Sequence, residues 1–194
     1  MGTVFAICIA YLFGSISSAI LICRLMQLPD PRTQGSHNPG ATNVLRLGSQ
    51  KAAVLTLLGD TLKGLLPVLA AKWLGFSETT IALVALAAFL GHLFPLFFHF
   101  KGGKGVATTL GCLLALSWPA GLCWMGTWLL IALCSRYSSL ASLIASALAP
   151  LYLWYATQSL AYVIAVTFMS VFLVLRHRRN IRQLLAGTES RLGK

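Results

Sequence analysis

The topology of this chain depends on residues 110–133, which read LGCLLALSWPAGLCWMGTWLLIAL. The stretch is long enough for one membrane-spanning helix, because a bilayer core of about 30 Å needs roughly 20 apolar residues. It could also form two short helices, broken at residues 117–121, where serine, proline and glycine interrupt the apolar pattern. The choice between one helix and two decides which loops share a side of the membrane.

Five further apolar runs are each long enough, or nearly so, to cross a membrane: residues 4–23, 52–74, 80–98, 140–155 and 160–175. The whole chain is 57% hydrophobic and 10% charged, whereas roughly a quarter of the residues in soluble domains are charged. We therefore expect an all-α polytopic membrane protein that forms a single domain over residues 1–194. Its first residues are not basic, so the first run is expected to remain as a helix rather than be cleaved as a signal peptide.

The basic residues predict which loops face the cytoplasm. The chain has 15 Lys and Arg against 4 Asp and Glu, and cytoplasmic loops of membrane proteins hold an excess of Lys and Arg. Residues 24–51 and the tail from Arg176 onward are both basic, so both are expected in the cytoplasm. If Lys101 and Lys104 are cytoplasmic too, the chain must cross the membrane an even number of times between them and the tail.

A single helix over residues 110–133, added to the last two helices, gives an odd number of crossings, whereas two short helices give an even number. The sequence thus predicts seven transmembrane helices, with the N-terminus outside and the C-terminus in the cytoplasm. Two of the seven would be short, at roughly 13 to 17 residues each, and the bilayer would be thinned beside them.

A glycine-rich basic loop follows the run that ends at Phe98. Residues 101–108 read KGGKGVAT, and glycine lets the backbone approach a ligand so closely that successive N–H groups point at one set of oxygens. Lys101 and Lys104 add positive charge, and a helix starting near Val106 adds the positive end of its dipole. The loop matches neither the P-loop nor the dinucleotide fingerprint. It therefore predicts a phosphate site of another kind.

Three other polar stretches fall on the same predicted face, namely residues 35–46, 136–142 and 176–180. Arg46 offers a planar fork for phosphate and Ser36 offers a hydroxyl; alternatively, Ser36 caps a helix and Arg46 marks the membrane boundary. His177 stands among arginines, whose charge should keep the ring neutral. Those arginines could equally form a membrane-surface cluster.

The remaining ionisable and sulfur residues exclude several functions. Asp60 and Lys63 lie three residues apart in one apolar run, so they meet on one helical face, and we interpret them as structural. The five cysteines have no metal-ligand spacing, so neither a metal site nor a disulfide is expected. Two aspartates are too few for a metal-dependent CDP-alcohol phosphotransferase. No basic and aromatic residues interleave as nucleic-acid binding would require.

Three motifs, in this order, resemble those of one known family. They read GSHNPGATN at residues 35–43 with Arg46, FKGGKGVAT at residues 100–108, and RHRRNI at residues 176–181. They are similar to the cytoplasmic motifs of the PlsY family, the bacterial acyl-phosphate:glycerol-3-phosphate acyltransferases. The resemblance covers nearly the whole chain, and the family's seven-helix fold agrees with the seven helices predicted from the basic loops.

The resemblance implies an enzyme of the bacterial inner membrane with its site on the cytoplasmic face. It would transfer a fatty acyl group from acyl phosphate to the 1-hydroxyl of glycerol 3-phosphate, without a cofactor. Its partners would be these two substrates and membrane lipids, with no nucleic acid. A transporter or channel for phosphorylated anions is the alternative function.

The resemblance also assigns roles to individual residues. It implies catalytic roles for Ser36, Arg46, Lys104, Ser142, His177 and Asn180, with Ser139 as the alternative to Ser142. The implied phosphate-binding residues are Asn38, Thr42, Asn43, Lys101, Gly102, Gly103, Gly105 and Thr108. His37 departs from the glycine that the family often has at this position.

Overall fold

The computed structural model describes residues 1–193, so Lys194, the last residue of the predicted domain, lies outside the described part. Residues 1–193 form ten α-helices and no strand. The helices are α1 (Gly2–Gly14), α2 (Ser18–Leu25), α3 (Ala41–Arg46), α4 (Gln50–Trp73), α5 (Glu78–Leu93), α6 (Val106–Leu116), α7 (Trp118–Ser135), α8 (Ser138–Thr157), α9 (Leu160–Arg176) and α10 (Arg178–Leu185). A short 3-10 turn, Leu96–Phe98, follows α5.

Four helices are long and apolar enough to cross a membrane individually, namely α4, α5 with its following turn, α7 and α8. Two bent pairs meet the same criterion together: α1 with α2, at 41°, and α9 with α10, at 58°. Residues 1–193 thus contain up to six candidate spans if each bent pair counts as one. The helix α6 is apolar but has only 11 residues. The expectation of an all-helical membrane protein is confirmed.

The chain does break inside residues 110–133. The first short helix, α6, ends at Leu116, Ser117 is extended with φ −158° and ψ 110°, and α7 begins at once with Trp118 and Pro119. Proline suits a first turn because its missing N–H would have no helical acceptor there. The two helices have 11 and 18 residues, a less equal division than the predicted roughly 13 to 17 each, because the break is confined to Ser117 and residues 118–121 belong to α7.

The interhelical loops gather at two opposite ends of the bundle. At one end Thr42 Oγ1 lies 3.3 Å from Ser138 Oγ, which joins α3 to α8. At the other end Ser159 Oγ donates to Glu78 Oε2 over 2.6 Å, which joins α9 to α5. Every Lys and Arg of residues 1–193 belongs to the first end, except Lys63 and Lys72 within α4. We call this first end the basic end.

Aromatic side chains mark the end of the bundle opposite the basic end. Trp73 closes α4, Trp118 opens α7 and Tyr155 lies in the last turn of α8. Their side chains are 86%, 68% and 80% exposed. Amphipathic aromatic rings are enriched at membrane–water interfaces, so their placement is that of an integral membrane protein.

Candidate active site

The glycine-rich loop, residues 99–105, lies at the basic end between α5 and α6. Gly105 has φ +91°, a left-handed conformation that glycine adopts without strain. A Cβ on Gly103 would collide with the imidazole of His92, and a Cβ on Gly105 would collide with the ring of Phe89. Sequence reasoning attributed these glycines to the approach of a ligand. The structure shows that the packing of the loop against α5 also requires them.

The backbone of the loop is bonded to helices on two sides. From α5, the carbonyl oxygen of His92 accepts a hydrogen bond from the N–H of Gly103 over 3.2 Å. From α9, Arg176 donates through Nη2 to the carbonyl oxygen of Gly102 over 2.8 Å. It also donates through Nε to the carbonyl oxygen of Gly103 over 3.2 Å. The middle of the loop is therefore held between α5 and α9.

Lys104 begins a chain of hydrogen bonds that joins the loop to α10 and α8. Its Nζ donates to Oδ1 of Asn180. Asn180 donates through Nδ2 to Oε1 of Glu189 over 2.8 Å, and Ser139 Oγ donates to the same oxygen over 2.7 Å. Glu189 thus brings together three of the predicted site residues, Lys104, Asn180 and Ser139.

That fourth residue, Glu189, is the one that the sequence did not point to, since it is the single acidic residue of an otherwise basic tail. A lone carboxylate among cations is itself a signal, because such a group pairs with them at short range. Desolvation by burial lowers the pKa of Lys104 to about 8, while Glu189 opposes the shift and Arg46 strengthens it. The site is therefore a mixed-charge cluster in which one carboxylate favours the cationic form of Lys104.

His177 lies just beyond α9, and only 2% of its surface is exposed. Its Nδ1 donates to the carbonyl oxygen of Leu173 over 2.8 Å, so the neutral ring leaves Nε2 as an acceptor. Burial and then the charge of Lys104 lower the pKa of His177 to about 4. The direction of this shift agrees with the predicted neutral His177, but its causes are burial and Lys104 rather than the neighbouring arginines.

The loop that carries Ser36 is organised by Asn43. The Oδ1 of Asn43 accepts from the N–H of Ser36 over 2.8 Å, and its Nδ2 donates to the carbonyl oxygen of Pro31 over 2.7 Å. Asn43, which the sequence placed among the phosphate-binding residues, thus uses its amide to shape the loop. His37 has φ +59°, a conformation that costs a residue with a Cβ roughly 1–2 kcal/mol. This explains why glycine suits the position.

The short helix α3 carries the first motif toward the other two. Thr42 contacts α8, and Arg46, exposed in the last turn of α3, lies close enough to Lys104 to influence its pKa. Asn38 is half-buried within the preceding loop. The three motifs, which are far apart in the sequence, therefore converge at the basic end.

Ser139 and Ser142, the two alternatives for one position, have different partners. Ser142 is 1% exposed, accepts from Trp128 Nε1 over 3.0 Å and donates to the carbonyl oxygen of Ser138 over 2.8 Å. Ser139 is bonded to Glu189 and so belongs to the Lys104 cluster. Ser139 therefore contacts the Lys104 cluster through Glu189, whereas Ser142 bonds within α7 and α8, and the catalytic role of either serine stays a prediction.

Two other residues from the sequence-based set lie apart from this cluster. Thr108 is fully buried, and its carbonyl oxygen faces Gly64 of α4. Lys101 is exposed and lines a separate cleft of about 370 Å³ together with Asp30, Arg32, Thr33 and His99. Their phosphate contacts stay predictions. Within residues 1–193 no group of three His, Cys, Asp or Glu side chains is placed to hold a metal ion.

Comparison with known proteins places this fold and site in one family. The profile of the glycerol-3-phosphate acyltransferase family matches residues 4–187. A glycerol-3-phosphate acyltransferase of Methylococcus capsulatus is 56% identical over 184 residues, which cover 95% of this chain and 93% of that protein. One from Vibrio cholerae is 52% identical over 185 residues, which cover 95% of this chain and 88% of that protein.

The fold also matches a solved structure over its full length. The crystal structure of PlsY, an integral membrane glycerol 3-phosphate acyltransferase, in its glycerol 3-phosphate form superimposes with a TM-score of 0.94 and 41% sequence identity. The match covers 100% of this chain and 96% of that chain. The chain belongs to the glycerol-3-phosphate acyltransferase family.

Proposed function

We propose that this protein transfers a fatty acyl group from acyl phosphate to the 1-hydroxyl of glycerol 3-phosphate. The products are lysophosphatidate and inorganic phosphate, and the reaction is the first step of phospholipid synthesis. The observation that carries the proposal is the convergence of the three motifs at the basic end: Lys104 bonds to Asn180, and Arg46 lies close enough to Lys104 to lower its pKa. Family membership and the glycerol 3-phosphate and lysophosphatidic acid forms of the similar PlsY structure support the same acceptor and product.

We also propose that the single domain, residues 1–194, crosses the bacterial inner membrane seven times. Six of the spans are α4, α5, α7, α8, α9 and the bent pair of α1 and α2; α6 is the seventh, and the polar helix α10 lies at the basic end. At 11 residues α6 is only about 16 Å long, so the bilayer must thin beside it. An odd number of spans puts the two termini on opposite sides of the membrane. The excess of Lys and Arg then places the basic end in the cytoplasm, so the N-terminus is outside.

Each substrate phosphate has its own set of donors in this proposal. Ser36 and Arg46 hold the phosphate of the acyl donor, because a planar guanidinium and a hydroxyl suit its oxygens. Lys104, the glycine loop and Asn180 hold glycerol 3-phosphate. Neutral His177 offers Nε2 only as an acceptor, which suits a glycerol hydroxyl. If a phosphate dianion binds beside the ring instead, its charge raises the pKa of His177, so that Nε2 becomes protonated and donates to the phosphate.

The chemical step uses the donor phosphate as its own base. The 1-hydroxyl oxygen forms a bond to the acyl carbonyl carbon, and the bond from this carbon to the phosphate oxygen breaks. The hydroxyl proton passes to the departing phosphate, which leaves as hydrogen phosphate. An acyl phosphate is already an activated mixed anhydride, so the enzyme needs only to align the reactants and neutralise their charge. No acyl-enzyme forms on Ser36.

The test is an assay of purified protein in detergent with acyl phosphate and glycerol 3-phosphate. We expect lysophosphatidate and phosphate in equal amounts. The Lys104→Ala variant should lose this activity, whereas Lys72→Ala should keep it, because Lys72 Nζ bonds to the carbonyl oxygen of Leu116 at the other end of the bundle. A transporter or channel for phosphorylated anions needs a sealed compartment, so the absence of product from the wild-type protein would favour that alternative.

A further inference from the structure

We infer that Arg176 is a positioning residue, which fixes the glycine loop in its ligand-binding geometry, and that it is not itself a phosphate ligand. The inference rests on the proposed function, since it concerns the loop that holds glycerol 3-phosphate. Sequence reasoning grouped Arg176 with the surface arginines. The structure separates it from them, because two of its donors are bonded to the loop carbonyl oxygens of Gly102 and Gly103, over 2.8 Å and 3.2 Å.

The contacts of Arg176 fix two successive peptide units. A trans peptide points its C=O and its N–H in opposite directions. The unit between Gly102 and Gly103 is held at both ends, by Arg176 at the oxygen and by the carbonyl oxygen of His92 at the N–H. The next unit is held by Arg176 at the oxygen of Gly103, so the N–H of Lys104 is directed away from Arg176. Arg176 thereby sets the direction of a main-chain donor beside the Lys104 ammonium group.

The guanidinium is itself held in a fixed plane. Its central carbon lies 5.8 Å from the centroid of the Phe94 ring. Phe94 in turn packs edge-on against Phe172, one turn before Arg176 on α9, with ring centroids 6.4 Å apart and an interplanar angle of 84°. A cation over an aromatic face is attracted by the ring quadrupole. The same three side chains therefore connect α5, α9 and the loop.

The chemistry of the side chain explains why arginine is needed. Arginine carries Nε–H and Nη–H donors in one rigid plane, so it can reach two successive carbonyl oxygens at once. Lysine has a single nitrogen on a flexible stem, so it can replace one of these bonds but not the planar pair. The loop carbonyls of Gly102 and Gly103 are buried and depend on these donors, because a buried acceptor without a partner is unfavourable.

Two measurements on Arg176→Ala test the inference. The first is amide hydrogen exchange of the ligand-free protein over residues 100–106, and the second is the steady-state kinetics with glycerol 3-phosphate. We expect exchange in the loop to become at least tenfold faster, while α8 is unchanged. We also expect KM for glycerol 3-phosphate to rise about tenfold or more, with kcat within threefold. Arg176→Lys should be intermediate in both.

The matched control is Arg178→Ala, because Arg178 is the next arginine along the chain and is exposed. It should behave as the wild type in both measurements. A raised KM with unchanged loop exchange would overturn the inference, because Arg176 would then be contacting phosphate itself. Unchanged KM and unchanged exchange would overturn it as well. If Arg176→Ala does not fold, Arg176→Gln decides by the same two criteria. Exchange without substrate is independent of whether the wild type catalyses acyl transfer.

Discussion

Glu189 accepts a hydrogen bond from Asn180 over 2.8 Å, and this bond connects a carboxylate of the C-terminal tail to Lys104 of the glycine loop. The carboxylate raises the pKa of Lys104 against the effect of burial, and the resulting value is about 8. The protonation of Lys104 therefore depends partly on a residue 85 positions along the chain.

The first prediction concerns the pH dependence of acceptor binding. Only protonated Lys104 attracts phosphate, so KM for glycerol 3-phosphate should rise as the pH rises through about 8, the folded-state pKa of Lys104. In Glu189→Gln that pKa falls, so the rise should begin at a lower pH. The measurement is KM between pH 6.5 and 9. Glu78→Gln, at the other end of the bundle, is the control. Superimposable profiles for Glu189→Gln and wild type would refute the electrostatic role.

The second prediction separates the glycine loop from Arg46. Alanine at Gly103 or Gly105 should raise KM for glycerol 3-phosphate tenfold or more, because the new Cβ would collide with α5 and displace the loop. Arg46→Ala should instead lower kcat severely, as expected for a group that acts mostly in the transition state. Gly126→Ala is the control, since a Cβ there would meet no atom within 4 Å. Small and equal effects from all the changes would make the loop a simple linker.

The third prediction concerns the buried ion pair. Lys63 Nζ lies 2.8 Å from Asp60 Oδ1, and both side chains are 4% exposed. Asp60→Ala leaves a buried ammonium group without its partner and should lower stability by about 3–5 kcal/mol. The same change at Asp30, whose pair with Arg32 is partly exposed, should cost about 0–1 kcal/mol. Thermal unfolding in detergent measures both. Equal melting temperatures for Asp60→Ala and Asp30→Ala would show that the buried Lys63 does not depend on Asp60 for stability.

The fourth prediction is topological. Single cysteines replace Ser36, Arg136 and Ser77 in a cysteine-free background. An impermeant thiol reagent should label the first two from the cytoplasm and position 77 from outside, since Ser36 and Arg136 lie at the basic end and Ser77 at the other. Labelling of position 136 from outside would contradict the crossing of the membrane by α6 and α7 as two separate spans.

The fifth prediction follows from substrate-assisted catalysis. Acyl phosphate should be a donor where acyl-CoA and acyl carrier protein are not, because only the phosphate supplies the base. His177→Ala should lose affinity for glycerol 3-phosphate more than it loses maximal rate. Steady-state kinetics with each donor measure both effects. Trapping of an acyl group on Ser36, or recovery of kcat in His177→Ala by added imidazole, would rule the mechanism out.

The fold could be predicted because its signals are local. Apolar runs of membrane-spanning length report helices directly, and the break at Ser117 was readable from the serine and proline that interrupt one run. The pairing of Asp60 with Lys63 was also predictable, since residues three apart on a helix share a face. The unequal lengths of α6 and α7 were not predictable, because the residue at which a helix ends depends on the packing of the residues that follow it.

The amino-acid sequence by itself determined the helical membrane class, and it predicted an even number of crossings after the glycine loop and the residues that hold phosphate. Only the tertiary structure decided that Arg176 bonds the loop carbonyls of Gly102 and Gly103, that Glu189 joins Asn180 and Ser139, and that Thr108 is buried against α4. The physical reason is distance along the chain. Hydropathy, charge excess and helical spacing act over a few residues or one loop, whereas hydrogen bonds between α8, α9, α10 and the glycine loop exist only after the helices have packed.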